Sequence, residues 1–261
     1  MQDYLPFAFI LLGLAFAPLG VPKARALRWP RWRVNAALLI CALGFDALLG
    51  PAQETLIGPW RSWTASQLQT HNLGALPLAL NIIFSVFLLD LIAYSLHRLE
   101  HRQWWLWGMH RVHHADPALD FSTHFRVHPF TVVWHNLVTA LLGMAMGVRW
   151  EGLLTYSVLM HLVQLWAHTP PRLSLATERR VAWLLVTPRV HQRHHHPERR
   201  EHDSNYGHLF TLWDRAFGSF NAQAISPQNR GAPAHELGLR DTPAAQINQL
   251  GQLLRSAFRH W

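Results

Sequence analysis

The stretch LGALPLALNIIFSVFLLDLIAYSL, Leu73 to Leu96, runs twenty-four residues with a single charge, Asp90. A segment so long and so apolar is a candidate to cross a bilayer, and in lipid only a helix satisfies all of its own backbone hydrogen bonds. Four more apolar runs accompany it, at about Tyr4 to Val21, Val34 to Leu49, Thr131 to Val148 and Leu153 to Ala167. Charged residues make up 15% of the 261-residue chain, against roughly 25% in an average soluble domain. These features predict an all-α integral membrane protein with about four or five membrane helices.

The Val34–Leu49 run is short for a span and fits a tilted helix or a re-entrant hairpin. Arg149, Trp150 and Glu151 divide the last two runs, which predicts a tight membrane hairpin over residues 131–167. Tyr4 to Val21 lacks the basic start of a secretory signal and leads into PKARALRWPRWR, so it reads as a spanning helix. VAWLLV, residues 181–186, is too short to cross and is expected at the interface.

Charge orients the chain. Lys23 to Arg33 holds five Lys/Arg, whereas Pro51 to His71 holds only Arg61. A cytoplasmic basic segment puts the N-terminus outside and brings the third span back in at Leu96. The expected organisation is membrane helices one to three over 1–96, a histidine-rich region over 97–220 and a C-terminal loop and helix over 221–261. In the last part, Thr242 can cap a helix with Pro243 at its first position. Ile247, Leu250, Leu253, Leu254 and Phe258 would share its apolar face. The net charge of +8 is not arranged in any nucleic-acid-binding motif, and no nucleic-acid partner is expected. The lone Cys41 excludes an internal disulfide framework and a thiolate metal site. No feature of the chain signals an oligomeric state.

Histidine is the residue type that marks the chemistry. HRLEH supplies His97 and His101; HRVHH supplies His110, His113 and His114; HQRHH supplies His191, His194 and His195. Residues three and four apart lie on one helix face about 5–6 Å apart at Cβ, so each group is expected to aim its rings into one volume. Neutral imidazole suits iron, zinc, copper or nickel rather than magnesium or calcium. A tetrahedral zinc takes about four ligands, so eight such rings are enough for two metals. A lone histidine in an apolar helix is usually a satisfied core or interface group, and His71, His135 and His161 are read that way. Asp90 is a carboxylate inside a span, two helical turns before His97, and could accept an N–H from a ligand imidazole. Asp120, Asp203 and Asp214 are similar candidates, with a helix cap or ion pair as the alternative. Trp104, Trp105 and Trp107 fit a lipid entrance or an interfacial aromatic belt.

The stretches DLIAYSLHRLEH, LWGMHRVHH, FRVHP, TPRVHQRHHH and NYGHLFTLWDRAFGSF cover about Asp90 to Phe220. In spacing, order and flanking words they resemble the fatty acid hydroxylase/sterol desaturase superfamily of histidine-rich di-iron membrane oxygenases. That resemblance implies a small bundle of membrane helices beneath a cytosolic, helical, histidine-rich cap. It implies His97, His101, His110, His113, His114, His191, His194 and His195 as metal ligands, with His168 as another. His128 would be a ligand or support one, and Asn205, His208 and Asp214 fall in the same supporting class. One departure is visible: the family often follows His-Pro with an aliphatic residue and Glu, where this chain has Phe130 and Thr131.

The expected activity is O2-dependent hydroxylation of a C–H bond in a lipid or lipid-like substrate at two iron ions, for which zinc can substitute in isolated protein. Desaturation, or cleavage of a lipid ether or aldehyde, at the same centre is the alternative enzyme reading. A non-enzymatic metal-binding or transport protein is the alternative from another class. Transport places polar ligands near mid-membrane, whereas these follow the helix ends. No dinucleotide, flavin, haem or iron–sulfur signature is present. Electrons are therefore expected from a separate ferredoxin or cytochrome with its reductase. The location expected is multi-pass in a bacterial inner membrane, with the histidine clusters cytoplasmic.

Overall fold

A computed structural model describes residues 25–68, 72–227, 237–242 and 248–258. Among them the chain is helical, with one isolated antiparallel bridge between Leu185 and Phe210 and no strand. The expected Tyr4–Val21 span, and His71, lie outside the described residues.

The first described helix, α1, runs from Arg25 to Leu68 and carries Pro30, Pro51 and Pro59 within it. Its Trp29–Thr55 stretch is long and apolar enough to cross a membrane. The Val34–Leu49 run is therefore part of a longer helix, and much of the basic Lys23–Arg33 segment is helical rather than a loop. The physical reason lies in Arg31, which is fully buried. Its Nε donates to Asp116 Oδ1 at 2.5 Å and its Nη1 to Asp120 Oδ2 at 3.0 Å. Asn35, one turn on, donates to Ser122 Oγ at 2.9 Å and accepts from Arg126 Nη1 at 3.0 Å. This buried network fixes the start of α1 against the histidine-bearing segments, so both stand at one end of the molecule.

Helix α2, Leu78–Arg102, is the second helix able to span a membrane. Pro77 begins it, and it continues past Leu96 to carry His97 and His101. Gln103, in extended backbone, separates it from α3, Trp104–His114. Helices α4, Pro129–Ala145, and α5, Trp150–Ala167, form the hairpin. Gly147 turns it at φ 77°, and a Cβ there would come 2.5 Å from Gly74 N. Asn81 of α2 holds the turn by donating to Leu73 O at 2.7 Å and Gly147 O at 3.0 Å while accepting from Arg149 N at 3.2 Å. At about 1.5 Å per residue, the 17 residues of α4 fall short of a full span.

Val86, Leu89 and Ile92 of α2 and Tyr156 of α5 form the main apolar core, against Leu209 and Phe210. The outward surfaces carry Ile40, Leu48, Ile83, Phe84, Leu142 and Leu159 exposed. A soluble surface rarely shows so many large apolar groups on adjoining helices, and a lipid-facing one requires them.

Short helices cover the histidine end: α6, Leu175–Val181, α7, Pro188–His194, α8, Arg199–His202, and α9, Leu212–Ala216. Val186, at the end of VAWLLV, is buried, while Trp183 and Leu184 are exposed. A last helix, α10, runs from Leu250 to Ser256. Gln249 precedes it in extended backbone, and Thr242 accepts from Arg111 at 3.2 Å. Pro243 and Ile247 lie outside the described residues. Leu253 is fully buried against Val34, Leu38 and Val112, so this face packs on α1 and α3, with Phe258 left exposed.

Candidate metal centre

Nine histidines converge from four helices. His97 and His101 come from α2, His110, His113 and His114 from α3, His168 from the end of α5, and His191, His194 and His195 from α7 and its end. None is more than 9% exposed. They divide into two groups whose ligand atoms lie within 4.8 Å of one another: His97, His101, His110, His114 and His194, then His113, His168, His191 and His195.

The division corrects the expectation that each sequence cluster aims into one volume. The first triplet gives His110 and His114 to one group and His113 to the other; the second gives His191 and His195 to one and His194 to the other. Helix geometry requires a split. Consecutive residues stand about 100° apart around an α-helix, so adjacent histidines cannot face one point. The two triplets are thus shared between the groups in opposite senses.

The outer nitrogens explain the orientation. His97 Nδ1 lies 2.8 Å from Tyr206 O, His194 Nδ1 2.7 Å from Ser204 O, His168 Nδ1 2.7 Å from Gln164 O and His113 Nδ1 3.3 Å from Arg126 O. A carbonyl only accepts, so each Nδ1 carries the proton and each neutral ring turns a lone pair at Nε2 inward. Carboxylates back two more: Asp203 Oδ1 is 3.2 Å from His101 Nδ1, and Glu100 Oε2 is 3.1 Å from His110 Nδ1. Inside, His168 Nε2 is 2.9 Å from His191 Nε2, and His97 Nε2 is 3.0 Å from His110 Nε2. His194 Nε2 and His101 Nε2 are buried with no hydrogen-bond partner. Inward lone pairs without donors are what a cation satisfies, so these residues fit a pair of transition-metal ions. Burial, reinforced by neighbouring rings, holds His113, His114, His191, His194 and His195 well below the ordinary imidazole pKa. It holds His168 at about 4. The neutral form is the one that binds metal.

The supporting candidates fall differently. Asp90 meets no imidazole. Its carboxylate accepts from Leu209 N at 2.9 Å, Phe210 N at 3.1 Å and Trp213 Nε1 at 3.0 Å, because two helical turns carry it below the rings. Asp214 likewise accepts from Tyr206 N and Gly207 N, both at 2.8 Å. Asn205 adopts φ 56° and accepts from Asn221 N at 2.8 Å. These three shape the loop that presents the Tyr206 carbonyl to His97. His128 stands outside both groups as the N-cap of α4, accepting from Phe130 N at 3.2 Å. His208 touches the His97 ring at 4.8 Å between centroids. Asp120 is both a cap and an ion-pair partner. Trp107 stacks on His202 at 5.1 Å, while Trp104 and Trp105 are exposed.

Between the groups and the bundle lies a cavity of about 440 Å³. His97, His110, His113, His168 and His191 line its histidine end, and Leu39, Ala42, Leu43, Val132 and Met160 line its bundle side. His135 and His161, which the sequence suggested were structural, are in its wall with His124 and His208. Glu100 was missed altogether. It is 1% exposed, with Oε1 3.0 Å from His135 Nε2, and it too lines the cavity. A carboxylate between the two histidines of HRLEH, at the end of a span, was the signal available. Thr131, where the resembled family often has Glu, is in the same wall.

A family model for fatty acid hydroxylase matches residues 82–219. Alkylglycerol monooxygenase from Caenorhabditis elegans is 26% identical over 54% of the chain and 27% of its own length. Ornithine lipid hydroxylase OlsE from Rhizobium tropici is 28% identical over 56% of the chain and 43% of its own. Human alkylglycerol monooxygenase is 27% identical over 54% and 31%. The matched region thus spans less than half the length of each of these relatives. No solved structure matches the chain.

Proposed function

The chain belongs to the fatty acid hydroxylase family, and from that premise we propose that it hydroxylates a C–H bond in a membrane lipid or lipid-like substrate with O2. The observation that carries the reading is the pair of all-histidine donor groups opening onto a cavity with apolar walls. His97, His101, His110, His114 and His194 would hold one ion, and His113, His168, His191 and His195 the other. Bound iron would supply activation of dioxygen. The protein's own residues do the rest. Backbone carbonyls of Tyr206, Ser204, Gln164 and Arg126 hold four rings in the metal-binding tautomer. Leu39, Leu43, Val132 and Met160 exclude water from the reacting end and admit a hydrocarbon chain.

Hydroxylation consumes one O2, two electrons and two protons, with one oxygen atom entering the substrate and the other leaving as water. The electrons come from a separate ferredoxin or cytochrome with its reductase. The names of the relatives, a monooxygenase and a lipid hydroxylase, support hydroxylation over desaturation. The position of the groups at the end of α2, rather than at its middle, supports an enzyme over a metal transporter. In this reading the chain sits across a bacterial inner membrane with the rings on the cytoplasmic side and the N-terminus outside. The shared end of Arg31 and the rings supports the placement of the basic segment with them.

Lipids from cells with and without the gene, compared by mass spectrometry, test the proposal. A product sixteen mass units heavier than its precursor, taking ¹⁸O from labelled O2, is expected. Loss of two mass units would instead establish desaturation, and metal flux in proteoliposomes without lipid oxidation would establish transport.

A further inference from the structure

Two segments distant in the chain meet on the flank of α2. Val186 N donates to Leu209 O at 3.0 Å and Thr211 N to Leu184 O at 2.9 Å. Arg215 Nη2 donates to Ala182 O at 2.9 Å, which joins α9 to the same unit. These bonds make neighbours of three large apolar side chains that nothing covers: Trp183 is 71% exposed, Leu184 49% and Leu212 36%. Their depth follows from Phe210, whose ring stacks on Phe87 of α2 at 4.9 Å between centroids and whose N–H donates to Asp90. Phe87 and Asp90 precede His97 by ten and seven residues, about 15 and 10 Å along the axis, within the stretch able to span a membrane. The exposed cluster thus stands beside the span, below the histidine end.

The backbone of this unit suits an apolar medium. From Ala182 to Val186 every N–H has a partner, in turn Glu178 O, Arg180 O, Val181 O twice and Leu209 O. An unpaired N–H in hydrocarbon would cost several kcal/mol. Toward the histidine end the unit turns basic. Arg179 Nε donates to Ile225 O at 2.9 Å, and Ile225 packs in the cluster that holds Ala167, the last residue of α5. Arg180 beside it is exposed. The Arg215 guanidinium lies 3.8 Å from the centre of the Phe220 ring, in that same cluster. The neighbouring acid, Glu178, is buried and accepts from Arg189 N at 3.0 Å. Tryptophan and leucine at the depth of a span, with arginines toward its end, match the order of a bilayer from acyl chains to phosphates.

We propose that this unit is a lipid anchor: Trp183, Leu184 and Leu212 sink into the leaflet nearest the histidines, and Arg179, Arg180 and Arg215 bind the phosphates of anionic phospholipids. The anchor rests on the reading of α2 as a membrane helix and is separate from the cavity. Both of its segments lead directly to the histidine groups. Residue 186 continues into α7, and residue 209 follows the loop whose Tyr206 carbonyl meets His97. Anchoring therefore holds the covering helices down against the bilayer.

The test reads position and lipid binding without turnover. Full-length protein with its one cysteine removed, Cys41→Ser, receives Leu184→Cys, Ile83→Cys or Arg240→Cys, and each is nitroxide-labelled in nanodiscs of phosphatidylcholine and phosphatidylglycerol. Ile83 is the lipid-facing reference on α2 and Arg240 the aqueous one. The label at 184 is expected to relax with O2, which concentrates in the bilayer, and to resist a water-soluble nickel chelate, as the label at 83 does. Native mass spectrometry of detergent-extracted protein should show phosphatidylglycerol retained in preference to phosphatidylcholine. Arg179→Gln and Arg180→Gln should each lower that preference about fivefold, while Arg179→Lys/Arg180→Lys keeps most of it. A label at 184 as open to the chelate as the one at 240 would overturn the anchor, and so would a lipid preference unchanged in Arg179→Gln/Arg180→Gln. If the label at 83 is also open to the chelate, the membrane reading of α2 falls with it; if only the label at 184 is, that reading stands and the anchor alone is lost.

Discussion

His113 and His168 bring their Nε2 atoms to 3.3 Å while each holds its Nδ1 against a backbone carbonyl, Arg126 O at 3.3 Å and Gln164 O at 2.7 Å. With both outer nitrogens donating, neither neutral ring has a proton for the other, so two lone pairs face each other in a buried site. A shared cation would convert that repulsion into coordination. Replacing one of these rings should therefore cost one ion. His168→Ala or His113→Ala is expected to lower bound metal from about two ions per chain to about one, and His97→Ala or His194→Ala to do the same at the other group. Inductively coupled plasma mass spectrometry on iron- or zinc-loaded protein measures this. Simultaneous loss of both ions from every single variant would mean that the groups are not separate sites.

Acid should act on the same rings. Burial holds His168 at about 4 and His208 at about 3, below the ordinary 6.5. As pH falls below 6.5 the unfolded chain takes up protons that the folded chain refuses, so stability falls with pH. For His168 alone the loss accumulates between pH 6.5 and about 4 and amounts to about 3 kcal/mol. Metal-depleted protein should melt at progressively lower temperature across that range, and metal-loaded protein should release its ions there. A melting temperature flat from pH 7 to pH 4.5 would contradict the buried neutral state.

Asp90 predicts a loss of stability without a direct loss of ligands. Asp90→Ala leaves the N–H groups of Leu209 and Phe210 and the indole of Trp213 buried and unpaired. A drop of roughly 3 kcal/mol is expected, with Asp90→Asn milder because its carbonyl still accepts. Thermal melts in detergent check the order, which should be wild type, then Asn, then Ala.

The C-terminal helix is docked by a close approach. A Cβ on Gly108 would stand 2.0 Å from Ala257 O, a backbone atom that cannot swing aside. Gly108→Ala should cost about 1–3 kcal/mol and expose the 250–258 segment to protease. Resistance equal to the wild type would show that the contact is dispensable.

Much of this could be read from the chain itself. The apolar runs of α1 and α2, the α4–α5 hairpin and the triplet spacing all rest on periodicities within one segment. The nine histidines the sequence singled out are those the structure brings together, His168 included. Their sharing between two groups was not visible, because it depends on how α3 faces α7. The role of Asp90 was misjudged for a related reason: two helical turns keep it on the face of His97 but carry it some 10 Å along the axis, where Leu209, Phe210 and the start of α9 meet it. Glu100 was overlooked because a lone acid among histidines looks like an ordinary helix-end charge until His135 arrives from another helix.

The crossed sharing of the triplets sets an order for biogenesis. Each group draws on rings that leave the ribosome early, from residues 97–114, and on rings that leave late, from residues 168–195. Neither group is complete until the intervening hairpin and α7 have been made. A nascent chain stalled before Pro188 would offer the first ion only four of its five rings and the second only two of its four. Metal capture by the proposed centre would therefore be a late step, completed only once α7 has joined α3.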